Sequence, residues 1–476
     1  MTDSVGRPGA ENATLIVRGA SLVDGRRVDM LVRDGLIVEL GEGVSAAGAT
    51  VIDADGLLAL PGLVDLHTHL REPGFEQSET VLTGSRAAAI GGFTAVHAMA
   101  NTSPVADTAG VVEQVGSLGA RAGFVTVRPI GAVTVGLEGK QLAEIGAMAQ
   151  SRAQVRVFSD DGKCVSDPLL MRRALEYVST FGGVVAQHAQ DPRLTENAQM
   201  NEGTLSGELG LTGWPAVAEE SIIARDVLLA EHVGARLHVC HLSTAGSVEV
   251  IRWAKARGIR VTAEVTPHHL LLTEQLVSSY DSRFKVNPPL RRAEDVQAVR
   301  EGLADGTIDI IATDHAPHPI ESKDCEWEAA AFGMVGLESA LSVVHASVVD
   351  TGMLNWSDIA RVLSSAPAEI GLLTGYAQGI AVGAPANFTL YDSSASRVFS
   401  TNELHGKGIN SPFLSTTLPG RIVATVHNGY PTVLNGELLP SEVVASAAAA
   451  RNSVAAYHAR SSLTPAAAAT TGAHNG

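Results

Sequence analysis

GLVDLHTH (Gly62–His69) and IDIIATDHAP (Ile308–Pro317) decide the fold. Each opens as an apolar run and closes on histidine or carboxylate side chains. Six runs of the same design lie between them: FTAVHAMAN from Phe93, GFVTVRPIG from Gly123, QVRVFSDD from Gln154, GVVAQHAQ from Gly183, RLHVCHLS from Arg236 and RVTAEVTPHH from Arg260. Near-continuous apolar runs are the pattern of parallel strands buried on both faces. Eight of them, mostly alternating with helix-like stretches, predict an α/β fold of the (β/α)8 TIM-barrel type over residues 62–373. Such a barrel carries its chemistry at the C-terminal ends of its strands, so the polar run ends read as a catalytic rim.

Outside the barrel the texture changes. TLIVR (Thr14–Arg18), VDMLVR (Val28–Arg33) and LIVEL (Leu36–Leu40) are short alternating segments, and Asp34-Gly35 is a hairpin signal. The texture returns in NFTLY (Asn387–Tyr391) and IVATVH (Ile422–His427), with turn signals at Asn428-Gly429 and Asn435-Gly436. Residues 13–61 and 374–440 are therefore expected to form one small β-domain split by the barrel. Residues 1–12 read as a mobile N-terminus. Residues 441–476 read as an Ala-rich tail, helical over 441–460 and disordered from about Ser461.

Composition narrows the function. With 45% hydrophobic and 18% charged residues in 476, there is ample material for a core. A formal net charge of -17 disfavours nucleic acid and anionic membranes as partners. It also means that an anionic substrate needs a local basic site. Cys164, Cys240 and Cys325 fit no disulfide framework and point to a reducing, cytoplasmic setting. No secretory leader and no apolar run of ~18 residues are apparent.

His67 and His69 stand at i and i+2 on one strand end, so both imidazoles reach the same point. Asp161, His188, His241 and Asp314 close the fourth, fifth, sixth and eighth runs. Four imidazoles and two carboxylates suffice for two metal ions sharing a bridge, and imidazole suits Zn²⁺. Such a centre polarises a carbonyl and activates water near neutral pH. Asp314 has the chemistry to take the proton of that water while facing the metal. A buried polar network without metal is the competing reading. Arg71 lies on the same rim and is shaped for bidentate contact with a carboxylate. With Asn101 and His318 beside it, it predicts a carboxylate pocket; an ion pair with a structural acid is the alternative. Lys163 reads as a solvated loop charge, with a carboxylated lysine as the other option. His97, His238, His268, His269 and Cys240 read as packing residues or as supports behind the ligands. The segment Glu321–Ala331 reads as a lid over the site, against a plain surface connection.

DLHTHLREPG (Asp65–Gly74), MANTSP (Met99–Pro104), FSDDG (Phe158–Gly162), AEVTPHHLLLT (Ala263–Thr273), KVNPPLR (Lys285–Arg291) and ATDHAPH (Ala312–His318) together resemble the motifs of bacterial type I dihydroorotases, in the amidohydrolase superfamily. The likeness runs from roughly residue 14 to residue 435. It implies reversible hydrolysis of (S)-dihydroorotate to N-carbamoyl-L-aspartate in de novo pyrimidine (UMP) biosynthesis, by metal-activated hydroxide with an aspartate general acid/base. It implies His67, His69, Asp161, His188, His241 and Asp314 as ligands of Zn²⁺, two per subunit, with Asp314 catalytic. His69, Arg71, Asn101, Asn287, His318, Phe332 and Gly333 would contact the substrate. A homodimer and association with aspartate transcarbamoylase are also implied. Ala100 and Ala331 stand where the family usually has proline; neither change removes a chemical group. A hydantoinase or allantoinase shares the barrel and metal chemistry, but typically carries a lysine near the fourth strand end, where this chain has FSDDG. A catalytically dead barrel kept as a scaffold is a further alternative, although every candidate ligand is present.

Overall fold

Turn chemistry shapes the first strands. The computed structural model describes residues 14–461, with 452–461 given as helical backbone only. The segments expected to be mobile (1–12) or disordered (beyond Ser461) lie outside the described residues. Strands β1 (Leu15–Leu22), β2 (Arg27–Arg33) and β3 (Leu36–Gly41) pair antiparallel in sequence order. Asp34 (φ 53°) and Gly35 (φ 80°) supply the two left-handed residues of a tight hairpin turn. Strands β4 (Thr50–Asp53) and β5 (Leu58–Pro61) then pair parallel to β1.

From Leu63 the pattern is strand, helix, strand. β6 (Leu63–Thr68), β7 (Phe93–Ala98) and β8 (Thr126–Pro129) form one parallel sheet. β9 (Val157–Phe158) and β10 (Val184–Gln187) follow, then a two-stranded excursion, β11 (Met200–Asn201) with β12 (Gly213–Trp214). β13 (Leu237–Val239), β14 (Val261–Val265) and β15 (Ile310–Ile311) complete a five-stranded parallel sheet with β9 and β10. Each of the eight apolar runs thus carries a parallel strand. Two isolated parallel bridges join the sheets, Gly131 to Phe158 at one edge and Thr68 to His315 at the other.

The connecting helices bury one stripe each. In the helix Pro168–Ser179, Met171, Ala174, Leu175 and Val178 are buried, the i, i+3, i+4, i+7 spacing of a core-facing stripe. Asp167 caps its N-terminus by accepting from the Leu170 amide at 2.7 Å, and Pro168 occupies the first turn, where its missing N–H costs nothing. Leu175 is fully buried in the main core, so Leu175→Ala would cost ~2–5 kcal/mol.

The chain then returns to its first sheet. β16 (Phe388–Val398) pairs with β5, and β17 (Thr417–His427), β18 (Tyr430–Leu434) and β19 (Glu437–Leu438) extend that edge. Asn428-Gly429 (φ 49° and 79°) and Asn435-Gly436 (φ 55° and 76°) repeat the turn chemistry of Asp34-Gly35. A separate apolar cluster, including Val17, Met30, Phe388, Leu390 and Val426, ties residues from both chain ends together. Helix Ser441–Ser461 follows. Among the described residues, no helix is long and apolar enough to cross a membrane.

Candidate active site

The C-terminal ends of β6, β9, β10, β13 and β15 converge on one buried cluster. His67, His69, Asp161, His188, His241 and Asp314 are each at most 5% exposed. Asp161 sits at its centre. Its Oδ1 lies 3.4 Å from His67 Nε2, 3.2 Å from His188 Nδ1 and 3.3 Å from His241 Nε2, and its Oδ2 lies 3.3 Å from His69 Nε2. Asp314 Oδ1 lies 3.0 Å from His69 Nε2 and 3.4 Å from His67 Nε2. His188 Nδ1 and His241 Nε2 face each other at 2.8 Å.

Three of the four imidazoles are oriented by a bond on the far nitrogen. His67 Nδ1 meets Glu264 Oε1 at 2.6 Å, His69 Nδ1 meets Asn101 Oδ1 at 2.9 Å, and His188 Nε2 meets Gln190 Oε1 at 2.7 Å. Each leaves its other nitrogen turned into the cluster, the arrangement by which outer partners fix tautomer and ring angle in metal sites. His67 Nε2 is buried with no hydrogen-bond partner. Three groups, His67–His69–Asp161, Asp161–His188–His241 and His67–Cys240–Glu264, bring ligand atoms within 4.8 Å of one another. Imidazole nitrogens and carboxylate oxygens at this spacing fit a divalent cation.

The electrostatics agree with that fit. Burial would raise both carboxyls, but His67 and the neighbouring imidazoles hold Asp161 and Asp314 below the usual carboxylate range. Burial likewise opposes protonation of His67, yet Asp161, Glu264 and Asp314 push it well above the usual imidazole range. The cluster attracts positive charge, and ligands of this kind bind protons and metal ions in competition.

Beside the cluster lies a cation, Arg71. Arg71 donates through Nε to Pro317 O at 3.2 Å, and its terminal nitrogens find no partner among the described residues. No acid lies within ion-pair distance of Arg71 among the described residues, although Asp314, Asp161 and Glu79 act on it at longer range. Burial lowers the Arg71 guanidinium to about 10, still protonated at neutral pH. Burial, then Arg71, lowers His69, and the same pair of causes holds His318 at about 3, so His318 is neutral. His318 Nε2 then donates to Phe332 O at 2.7 Å. Asn287 donates to Gln190 Oε1 at 3.1 Å and keeps a buried, unpartnered Oδ1. Gly333, at φ 139°, packs so closely that a Cβ would stand 2.8 Å from His318 Nε2.

Three site residues occupy left-handed backbone without being glycine: Arg71 (φ 62°), His241 (φ 32°) and Asp314 (φ 46°). Strain of this kind, ~1–3 kcal/mol each, persists where the surroundings over-determine the conformation, typically at functional sites.

The sequence reading missed Glu264. Its carboxylate, fully buried, meets His67 through one oxygen and His238 Nε2 through the other at 3.0 Å. Against burial, His67 and His238 hold it at about 2. The available signal was an acid inside an otherwise apolar run, which demands buried partners. His238 is thus a support, as one reading had it. His97 contacts Asp65 O at 3.2 Å, and His269 is held between Thr266 Oγ1 at 2.8 Å and Pro288 O at 3.1 Å. In FSDDG the first acid, Asp160, is used by the Val133 and Thr134 amides, which leaves Asp161 for the cluster. Lys163 is exposed, and Arg156 donates to Ala149 O and Val155 O.

Residues 56–247 match the dihydro-orotase-like family model. The dihydroorotase of Leifsonia xyli subsp. xyli is 77% identical over 428 residues, covering 90% of this chain and 98% of the relative. That of Streptomyces coelicolor is 64% identical, covering 89% and 99%, and that of Mycobacterium tuberculosis 52% identical, also covering 89% and 99%. Among solved structures, an L-hydantoinase (dihydropyrimidinase) from Arthrobacter aurescens superposes with a TM-score of 0.79 at 24% identity, over 90% of this chain and 97% of that one. A dihydropyrimidinase from Brevibacillus agri NCHU1002 gives 0.77 at 21%, over 90% and 96%.

Proposed function

This chain belongs to the dihydroorotase family, and we propose that its rim opens the dihydroorotate ring to N-carbamoyl-L-aspartate, and closes it again, in pyrimidine biosynthesis. It is a cyclic amidohydrolase acting on a small molecule. The observation that carries the assignment of roles is the meeting of six ligand-type side chains with an unpaired arginine on one strand-end rim.

We infer a closed (β/α)8 barrel over 62–373, with 13–61 and 374–440 as the split β-domain. The two parallel bridges that link the edges of the three- and five-stranded sheets support closure. His67, His69, Asp161, His188, His241 and Asp314 would hold metal, read here as two Zn²⁺ because the donors are imidazole and carboxylate. When bound, the metal supplies Lewis acidity at the ring carbonyl and lowers the pKa of water. Arg71, Asn101 and His318 receive the substrate carboxylate, with Asn287 and the Phe332–Gly333 backbone bordering the ring. Asp314, deprotonated at rest, takes the proton of the attacking water and delivers it to the ring nitrogen as the amide C–N bond breaks. Ring closure follows the same path backwards. The reduced cysteines favour a cytoplasmic setting. Dimerisation and aspartate transcarbamoylase association rest on family likeness, and analytical ultracentrifugation with and without that enzyme tests both.

The decisive assay offers the zinc-loaded protein dihydroorotate, hydantoin and allantoin side by side. Turnover of dihydroorotate alone is expected. Preference for a ring without a carboxylate would leave the metal reading standing and overturn the role of Arg71.

A further inference from the structure

Two lysines near the site are buried without acids. Lys285 is 1% exposed and Lys323 6%. Taking an ammonium out of water costs several kcal/mol unless its donors are satisfied. Here main-chain oxygens do most of that. Lys323 Nζ donates to Ala331 O at 2.8 Å, Gly333 O at 3.1 Å and Lys285 O at 3.2 Å, which fills the three N–H groups of its protonated form, while burial lowers Lys323 to about 7 and Lys285 to about 8. Lys285 Nζ donates to Trp327 O at 2.6 Å and Glu328 O at 3.1 Å, and stands 4.5 Å from the centroid of the Phe332 ring. The acids that act on them at longer range are otherwise placed: Asp281 is paired with Arg283, and Glu328 is exposed.

The pattern of contacts is specific. The carbonyls on either side of Phe332, those of Ala331 and Gly333, are gripped by one ammonium, and the ring of Phe332 faces the other. Phe332 O is the acceptor that orients His318, and the ring packs edge-on against Trp214 at 6.1 Å between centroids. The segment read from sequence as a lid is in this structure tied to the chain before it at two points, Ser282 Oγ donating to Lys323 O and Lys285 Nζ to Trp327 O and Glu328 O, and is closed on itself by the Ala331 amide on Ser322 O at 2.9 Å.

We propose that Lys285 and Lys323 are positioning residues that fix Phe332 and, through it, His318, and so set affinity for the anionic substrate. The inference rests on the dihydroorotase reading of the site. Neither lysine touches the reacting atoms. Each acts through Phe332, one on its flanking peptides and one on its ring face, where a cation is favourably placed. An arginine at 323 keeps the charge and the donors and is the conservative replacement.

The test compares Lys323→Met, Lys285→Met and Lys323→Arg in the metal-loaded, full-length protein. The readouts are KM and kcat on dihydroorotate, bound metal, and hydrogen exchange over residues 320–334. Lys323→Met is expected to raise KM about tenfold, with kcat within twofold and metal content unchanged. Exchange at 331–333 should quicken, and Lys323→Arg should recover most of the KM. Lys285→Met removes the cation at the ring face and the bonds to Trp327 O and Glu328 O, leaves the Lys323 contacts in place, and gives a second test if Lys323→Met does not fold. Combined with Phe332→Ala, Lys285→Met should lose its ring-face contribution to KM, whereas Lys323→Met should still raise KM, because the carbonyls it holds are main chain and remain. An unchanged KM in a folded variant, or a fall in kcat with KM constant, overturns the proposal. A wild-type protein that binds metal but does not turn over dihydroorotate instead defeats the underlying functional reading.

Discussion

Around the metal-facing histidines carboxylates lie within ion-pair distance, whereas Arg71, Lys285 and Lys323 have no acid within ion-pair distance among the described residues. In the first region Asp161 and Asp314 lie within 3.4 Å of imidazole nitrogens, and Glu264 balances His67 and His238 from behind. In the second, Arg71 has unpartnered terminal nitrogens, and the two lysines are satisfied by neutral carbonyls. The first region attracts a cation and the second an anion. On the proposed reading, that contrast would let a chain of net charge -17 accept an anionic substrate. Changes in the first region should therefore appear in kcat and metal content, and changes in the second in KM.

The largest effect belongs to Asp314. Asp314→Asn keeps the shape and removes the proton acceptor, so kcat is expected to fall by ~10³, within the range for loss of general acid–base catalysis. Far-UV circular dichroism should be unchanged. A variant with kcat near wild type would take Asp314 out of its role. Arg71→Met comes next and should act on the other side of the comparison. Loss of charge-assisted bonds to a carboxylate, ~1.5–3 kcal/mol each, predicts a KM for dihydroorotate ~100-fold higher with bound metal unchanged. A selective loss of kcat would erase the distinction between the two regions.

Glu264→Gln should fall between these and the smaller effects. Glutamine can still accept from His67, but it brings no charge, so metal affinity measured by chelator competition should weaken ~10-fold. Unaltered affinity would mean that Glu264 only fills space.

The residues behind these predictions were unequally legible. The strands and the six ligand candidates could be read locally, because apolar runs and an i, i+2 histidine pair carry their meaning within a few residues. The hairpin turns at Asp34-Gly35, Asn428-Gly429 and Asn435-Gly436 were legible for the same reason. Glu264 was not, since its partner His67 is 197 residues away and nothing in the sequence joins them. Lys285 and Lys323 were opaque for a different reason. A lysine in a polar segment normally reads as solvated, and only the packed chain shows that carbonyls rather than water surround these two. The contacts that hold the Glu321–Ala331 segment in this structure were likewise invisible, because they are tertiary.

The smallest expected effect concerns the cysteines, and it separates the two regions once more. Cys240 precedes His241 and is 2% exposed; burial, then Glu264, pushes its thiol far above the usual range. Burial pushes Cys164 up to about 12. Since the thiolate is the reactive form, raising a thiol from ~8.5 to about 12 cuts its thiolate at pH 8 by ~10³. Iodoacetamide at pH 8 should therefore modify Cys325 first, the half-buried cysteine of the pinned segment. Because Cys325 follows Lys323 by two residues and is not among the grouped ligand candidates, its alkylation should raise KM a few-fold and spare kcat. Peptide mapping alongside kinetics reads both. Early labelling of Cys240, or loss of kcat in step with Cys325 modification, would mean that the segment and the metal cluster act as one unit and that the two-region account fails.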